Sequence, residues 1–330
     1  MAKRKYISEL ALNFYSDGLL LVHPKDVASI DQQPEEHAEL ANECHIYLIV
    51  TRPRVSFVPD SIQVGGGKTR GKFRYSKGGV PQETAFWLDG EANADKIEIS
   101  AYPHHKLTLI KNGERFFTVP GHLLSMMCDH LDDMSIRDLE VAYVGMSYAD
   151  GTRSAKDRLL SHSTLQQVLA DLNNDAPDSE ALIVMAQYVS PQTIITFDGM
   201  DKSLKLEDDR DLMADLERQQ SQITISVFAA LIEASLIKYF EPRYNDKYKQ
   251  RFPHPTQKIL KEVYEIDFGA LIVELNTEKI NGRLFSGVRE PGYHHISGVD
   301  LHDPQVRRSF FNVMNLPKGS DGTDHSGPLF

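Results

Sequence analysis

The sequence predicts a protein of the α/β (α+β) class, and three observations support this prediction. Residues 45–50 (HIYLIV) are rich in β-branched and aromatic side chains, which is typical of a buried strand. Apolar residues recur at i, i+3, i+4 and i+7 from Leu165, which is typical of a helix with one buried face. Hydrophobic residues make up 41% of the chain and charged residues 25%, as in folded rather than disordered proteins.

The remaining elements follow from similar local patterns. Further strands are predicted at 96–102, 106–111, 139–144, 181–189, 193–197 and 270–275. The pair Asn112-Gly113 predicts a hairpin turn. A strongly apolar helix is predicted over 227–240, and Pro242 ends it. Residues 61–82 contain six glycines, which favours a mobile loop or a hairpin over a helix.

Charge and cysteine content exclude several classes of protein. The 36 Lys and Arg residues against 47 Asp and Glu give a net charge of −11, so any nucleic-acid binding needs a local basic patch. No apolar run approaches the roughly 20 residues that cross a bilayer, and the N-terminus has no unbroken secretory signal. Two cysteines, Cys44 and Cys128, are too few for a disulfide framework. We therefore expect a cytoplasmic protein with no membrane partner.

A local basic patch lies in the glycine-containing segment 61–82, which has no acidic residue. Its cations alternate with aromatic residues, a pattern that suits phosphate contacts and stacking on exposed bases. A solvated flexible loop is the alternative. The sequence disfavours a nucleotide-binding P-loop, because Ile62 occupies the position of its first glycine and no helix pattern follows. The predicted nucleic-acid contacts are Lys68, Arg70, Lys72, Arg74 and Lys77.

The predicted apolar helix carries one informative charge, Glu233. It is the only charged residue in 227–237 (VFAALIEASLI). Burying a neutral polar group without a hydrogen-bond partner costs about 2–7 kcal/mol, and burying an unpaired carboxylate costs more. Glu233 therefore either faces solvent on a narrow stripe or meets a cation, and the helix alone leaves both interpretations open.

The residues around this helix occur in a suggestive order. Tyr143-x-Gly145 ends a predicted strand, Arg158 and His162 follow at a spacing that predicts one helix face, and Glu233 precedes Asn245 by twelve residues. This order resembles that of the GIY-YIG nuclease superfamily over residues 139–253. The stretch LIEASLIKYFEPRYN looks like the excision-repair members, whereas Arg-x-x-x-His looks like the restriction endonucleases.

The resemblance implies a small sheet flanked by helices and a role for each matched residue. Glu233 would hold a divalent cation, Mg²⁺ or Mn²⁺, and Arg158 would neutralise charge on the scissile phosphate. Tyr143 would position or help to activate the attacking water. His162 would transfer a proton or contact the phosphate, and Asn245 would brace the site. Phosphodiester hydrolysis needs this combination of charge stabilisation, a positioned water and a hard metal.

The first motif of the family, Gly-Ile-Tyr, departs from the expected pattern. Residues 134–140 (MSIRDLE), which precede Tyr143, contain no tyrosine. The best substitute is His45-Ile-Tyr47, 96 residues before Tyr143. We expect Tyr47 to fill this position, with the intervening residues forming an insertion that carries the basic segment.

The resulting hypothesis is a metal-dependent endonuclease that hydrolyses DNA, of a restriction or phage-defence type. We expect three regions: 1–135, a nuclease core at 136–253, and 254–330 with a disordered tail from about residue 318. A catalytically inactive nucleic-acid-binding or interaction protein on the same scaffold is the alternative. A third interpretation is an unrelated hydrolase with Zn²⁺ on the His294–Asp303 cluster, although we expect this cluster to be a surface loop. The sequence is also compatible with a homo-oligomer.

Overall fold

The computed structural model describes residues 9–147, 158–159, 162–196, 214, 224–250, 252–253, 259–260, 268–301 and 324–326. The strands in these residues are β1 (Glu9–Val22), β2 (Ile46–Pro53), β3 (Ser56–Phe57), β4 (Gln63–Gly65), β5 (Lys68–Lys77), β6 (Val80–Asp89), β7 (Lys96–Ile99), β8 (Lys106–Lys111), β9 (Glu114–Pro120), β10 (His130–Leu131), β11 (Asp138–Met146), β12 (Ser179–Tyr188), β13 (Gln192–Thr196), β14 (Ala270–Asn276), β15 (Arg283–Ser286), β16 (Arg289–Gly292), β17 (His294–Asp300) and β18 (Asp324–Ser326). The α-helices are α1 (Glu35–Glu43), α2 (Gly121–Met127), α3 (Ser163–Asp175) and α4 (Ile225–Phe240).

Ten strands form one mixed sheet. Its order is β16-β15-β11-β2-β12-β1-β14-β17-β18, and β13 pairs with β1 beside this path. The central strands β2 and β12 are covered on both faces, which explains why their sequences are continuously apolar rather than alternating. Along β2, Ile46, Leu48 and Val50 join one core, whereas Tyr47 and Ile49 join another on the opposite face.

The sheet curves around α4. This helix packs against β2 and β11 and also against β14 and β17. Strands β11 and β17 are five strand spacings apart, about 24 Å in a flat sheet, whereas a helix is only about 10–12 Å wide. One helix therefore reaches both strands only because the sheet bends around it. The apolar residues on nearly every side of α4 are buried by this wrapping.

The chain between β2 and β11 folds into two smaller sheets with a hydrophobic core of their own, which includes Phe57, Phe73 and Phe86. This insertion is joined to the main sheet through the buried Arg52. Its Nε donates to the Glu180 carboxylate at 2.9 Å, and its guanidinium also donates to backbone and hydroxyl oxygens of the insertion. Arg52 lies at the end of β2 that is distant from Tyr47.

The mixed α/β class and most elements agree with the sequence predictions. The segments 45–50, 106–111, 139–144, 181–189, 193–197 and 270–275 overlap β2, β8, β11, β12, β13 and β14, and 227–240 lies in α4. The strands β2, β11 and β12 are not a small separate sheet, because β1 and β14–β17 extend it. Segment 61–82 is part of a hairpin rather than a loop. Of the tail expected from about residue 318, only β18 lies within the described residues.

The helices in the described ranges are all too short or too polar to cross a membrane.

Candidate active site

Two tyrosines from distant parts of the sequence lie side by side at one end of the main sheet. Strands β2 and β11 are antiparallel neighbours, and their register sets Gly145 directly opposite Tyr47. The rings of Tyr47 and Tyr143 are 6.2 Å apart between centroids. The structure thus brings together the two tyrosines that sequence reasoning assigned to the same site across 96 residues.

Gly145 permits this close approach. A Cβ atom on Gly145 would lie 2.5 Å from the Tyr47 hydroxyl oxygen and 2.7 Å from Cε1 of Tyr143. These distances are far shorter than van der Waals contact, so any side chain here would displace one of the two rings. Glycine at position 145 therefore allows the two rings to pack closely.

Arg158 ties the tyrosines together. Its Nε donates to the Tyr47 hydroxyl at 3.2 Å. The hydroxyl of Tyr143 is also hydrogen-bonded to Arg158 and to Tyr47. Burial raises the pKa of Tyr47 well above its usual range, and burial followed by the charge of Glu233 raises the pKa of Tyr143. Both phenols therefore keep their protons at neutral pH and serve as hydrogen-bond donors rather than as bases.

His162 lies at the site, but not on the helix face that the spacing predicts. Arg158 is helical, whereas His162 is extended (φ −83°, ψ 112°) and caps the N-terminus of α3. Its Nδ1 accepts the backbone N–H of Leu165 at 3.3 Å, and its ring centroid is 5.1 Å from that of Tyr143 and 5.8 Å from that of Tyr47. Burial lowers the pKa of His162, so the neutral ring carries its proton on Nε2, which is left as a donor.

Glu233 approaches the same end of the sheet from α4. Its Oε1 accepts the backbone N–H of Met146 at 3.1 Å. Burial raises the pKa of Glu233 to about 7, and the charges of Arg158 and Lys247 oppose this rise. Of the two interpretations of Glu233, the structure fits the one in which cationic groups accompany a half-buried carboxylate.

The turn after α4 covers the open edge of β11. Strand β15 pairs only with Asp138–Glu140, so the rest of this edge needs other partners. The Tyr244 N–H donates to the Ala142 carbonyl at 3.0 Å. The Asn245 side-chain Oδ1 accepts a hydrogen bond from the Val144 N–H, and its Nδ2 donates one to the Val144 carbonyl oxygen, both at 2.9 Å. Together with the bond from Met146 N–H to Glu233, these bonds hold α4 and its turn in fixed register with β11.

Two residues that sequence reasoning missed lie close to Glu233. Lys247 is exposed, and its charge lowers the pKa of Glu233. Tyr248 has a left-handed backbone (φ 70°), and the Glu233 charge contributes to the rise of its pKa after burial. The only sequence signal was a cation and an aromatic residue just after Asn245, a common combination with no special spacing.

The cations predicted to contact nucleic acid lie on β5, but the aromatic residues between them do not share their face. Burial alternates along β5, so Phe73 and Tyr75 point into the core of the insertion. The prediction that these rings stack on bases is therefore wrong. The cations on the outer face are Lys68, Arg70, Lys72 and Arg74, whereas Lys77, exposed at the end of the strand, has the same parity as Phe73 and Tyr75.

The neighbouring strand β6 supplies carboxylates to this outer face. Arg74 lies 2.9 Å and Lys72 3.8 Å from Glu83, and Lys68 lies 3.5 Å from Asp89. The segment lacks acidic residues, but its strand partner does not. The insertion also begins at Pro53, six residues along β2 from Tyr47, or about 20 Å. The β5 cations are therefore partly neutralised and belong to the opposite end of β2.

The histidine cluster near the C-terminus is a strand, so the expectation of a surface loop is wrong. His294 and His295 point to opposite sides of β17, as extended backbone predicts, and His294 lies 3.2 Å from Glu274. Within the described ranges, no group of three His, Cys, Asp or Glu residues is arranged to hold a metal. His302 and Asp303 lie outside the described residues.

The donor chemistry at Glu233 fits a hard divalent cation. The carboxylate accepts one backbone hydrogen bond and has further lone pairs on its two oxygens. Mg²⁺ is commonly held by one or two carboxylates together with water and substrate phosphates. A cation here would also favour the ionised form of a carboxyl group that burial alone disfavours.

Comparison of the chain with protein-family models, curated proteins and solved structures finds no match in any of the three.

Proposed function

We propose that this protein is a metal-dependent endonuclease that hydrolyses phosphodiester bonds in DNA with a GIY-YIG-like site. The observation that carries the proposal is the convergence of Tyr47, Tyr143, Arg158 and Glu233, which come from four separate segments. Each was chosen from the sequence for one chemical role. A restriction or phage-defence role is part of the proposal and comes from the resemblance alone.

Arg158 would stabilise the charge that develops on the phosphate. Its Nε is engaged by Tyr47, which holds the guanidinium in one orientation. A guanidinium presents its N–H groups in a planar fork, a geometry that suits the non-bridging oxygens of a phosphate. Half-burial of this charge strengthens the interaction relative to bulk water.

The Tyr143 hydroxyl would position the attacking water. Its oxygen receives hydrogen bonds from Arg158 and Tyr47, and both lower its pKa. Its own proton is then free to point at a water or a phosphate oxygen. The Nε2 donor of His162, whose ring lies beside Tyr143, suits a second contact to the phosphate or to the leaving oxygen.

Glu233 would hold Mg²⁺ or Mn²⁺. When bound, such a cation supplies positive charge to the phosphate and the leaving oxygen. The chain's contribution is to keep the carboxylate fixed through the Met146 N–H and to keep it beside Arg158 and Lys247. A substrate phosphate binds most readily where these positive charges meet.

The test is incubation of the purified chain with supercoiled plasmid and Mg²⁺. We expect nicked or linear DNA, protection by EDTA, and little cleavage of an RNA transcript of the same sequence. Glu233→Ala should abolish cleavage and keep the circular dichroism spectrum of the folded protein.

The rival is a catalytically inactive nucleic-acid-binding or interaction protein. An intact plasmid with folded protein, in both Mg²⁺ and Mn²⁺, would contradict the endonuclease. A gel shift of the same DNA would then support the binding protein.

A further inference from the structure

A cleft of about 410 Å³ opens beside the candidate active site. It lies between the start of β2, the end of β12 and the first half of α4. This volume is within the range of small-molecule sites, about 300–1,000 Å³. Its apolar walls are Phe14, Ile46, Val189, Phe228, Ala229 and Ile232.

The cleft adjoins the proposed phosphate site through two elements. On α4, Ala229 and Ile232 line the cleft and precede Glu233 by one helical turn and by one residue. On β2, Ile46 lines the cleft from the face of the sheet opposite Tyr47. Ile46 is also paired with Met146, whose N–H donates to Glu233. A group bound in the cleft therefore lies on the α4 side of the sheet, next to the end of β11 where Glu233 accepts the Met146 N–H.

The lining suits a flat ring with polar edges. Phe14 and Phe228 meet edge to face with centroids 5.3 Å apart, and Phe228 is only half-buried. The rim is polar: Asn42 is exposed, and Gln187 donates one amide hydrogen to Glu43. The second amide hydrogen and the carbonyl oxygen of Gln187 are further hydrogen-bonding groups. Aromatic walls with amide groups at the rim match the faces and edges of a nucleobase.

We infer that this cleft receives the base of a nucleotide next to the scissile phosphate, turned out of the stack. The inference rests on the proposed nuclease function and specifies its substrate: a strand with an unpaired or easily unstacked nucleotide at the cleavage point. Extrusion of a base from the stack costs free energy, and the cost is least where the base is already unpaired.

The experiment separates the contribution of the base from that of the backbone. Dissociation constants are measured for a short oligothymidylate and for an abasic oligomer of equal length, in Mg²⁺. The protein carries Glu233→Gln so that no cleavage occurs. Phe228→Leu is added to remove the ring and keep an apolar side chain. Phe116→Leu, at an exposed phenylalanine of the insertion, is the matched control.

We expect the oligothymidylate to bind about tenfold more tightly than the abasic oligomer, and Phe228→Leu to remove most of this ratio. Phe116→Leu should leave the ratio unchanged. Asn42→Ala, at an exposed rim position, should reduce the ratio two- to fivefold because one hydrogen bond to the base is lost. This variant tests the cleft if Phe228→Leu fails to fold.

The outcomes distinguish the two proposals. Binding of both oligomers with a ratio that neither Phe228→Leu nor Asn42→Ala changes would overturn the base subsite and leave the nuclease intact. Absence of binding to either oligomer would overturn the base subsite, whereas the nuclease proposal is decided separately by plasmid cleavage with the wild-type protein.

Discussion

The hydroxyl of Tyr47 accepts a hydrogen bond from Nε of Arg158 across 111 residues of sequence. One partner comes from a central strand of the sheet and the other from a short helical segment after β11. Because the guanidinium orientation depends on this bond, the proposed phosphate contact depends on a residue in a different part of the chain.

Tyr47→Phe tests this dependence. The variant keeps the ring and loses the acceptor for Arg158, so we expect the plasmid nicking rate to fall about ten- to a hundredfold. The free energy of unfolding should fall by only about 1 kcal/mol, measured by urea denaturation. Tyr102→Phe, at a side chain that is 89% exposed, is the control and should change neither quantity. Equal nicking rates for the two variants would contradict the role of Tyr47.

Gly145→Ala should disturb both tyrosines at once. The added methyl group would collide with the Tyr47 and Tyr143 rings, and overpacking of this kind costs about 1–3 kcal/mol. We expect the nicking rate to fall about a hundredfold because the rings shift. Gly287→Ala is the matched control, since nothing lies within 4 Å of its added Cβ. A crystal structure of Gly145→Ala with unmoved rings would contradict this account.

The raised pKa of Glu233 predicts a pH dependence of stability. Its pKa is about 7 in the folded protein against an ordinary 4.5, so the folded state binds more protons between these values. The contribution of Glu233 to the free energy of unfolding is therefore greatest below pH 4.5, and it is lost as the pH rises towards 7. The loss is at most about 3 kcal/mol.

Glu233→Gln isolates this effect because Gln keeps an oxygen acceptor for the Met146 N–H and cannot ionise. The free energy of unfolding is measured in urea, in EDTA, at several pH values. We expect that of the wild type to fall between pH 5 and pH 8 relative to that of Glu233→Gln. Added Mg²⁺ should restore stability to the wild type at pH 8 and not to the variant. A pH-independent difference between the two would show that the carboxyl group is not perturbed.

Asn245→Ala should loosen the attachment of α4 to β11. It leaves the N–H and C=O of Val144 without their partner, at a cost of about 2–4 kcal/mol in unfolding free energy. Asn174→Ala, at an exposed position of α3, should stay within about 0.5 kcal/mol of wild type. Thermal unfolding of both variants by circular dichroism makes the comparison, and similar melting temperatures would contradict the bracing role.

Local patterns were sufficient for the elements of the site and insufficient for the sheet that carries it. The apolar run around Glu233 predicted α4, and HIYLIV predicted β2, because burial selects residue types directly. The width of the sheet depends on the pairing of β1 with β14, in which Ala11 lies opposite Ala270 across 259 residues of sequence. No local pattern in a single sequence displays such a pairing.

The errors have equally specific causes. The aromatic residues of β5 alternate with cations because a strand alternates faces, and sequence cannot tell a buried ring from one that is free to stack. The carboxylates of β6 became relevant only through the hairpin register. The spacing of Arg158 and His162 predicted one helix, but His162 caps the next one.

The most direct test of the central claim is the rate of plasmid nicking in Mg²⁺ by Glu233→Gln compared with wild type. This variant preserves the Met146 hydrogen bond and removes only the charge that would hold the cation. We predict loss of nicking by at least about a hundredfold with an unchanged circular dichroism spectrum. Nicking by Glu233→Gln at the wild-type rate would show that this carboxylate is not part of the chemistry.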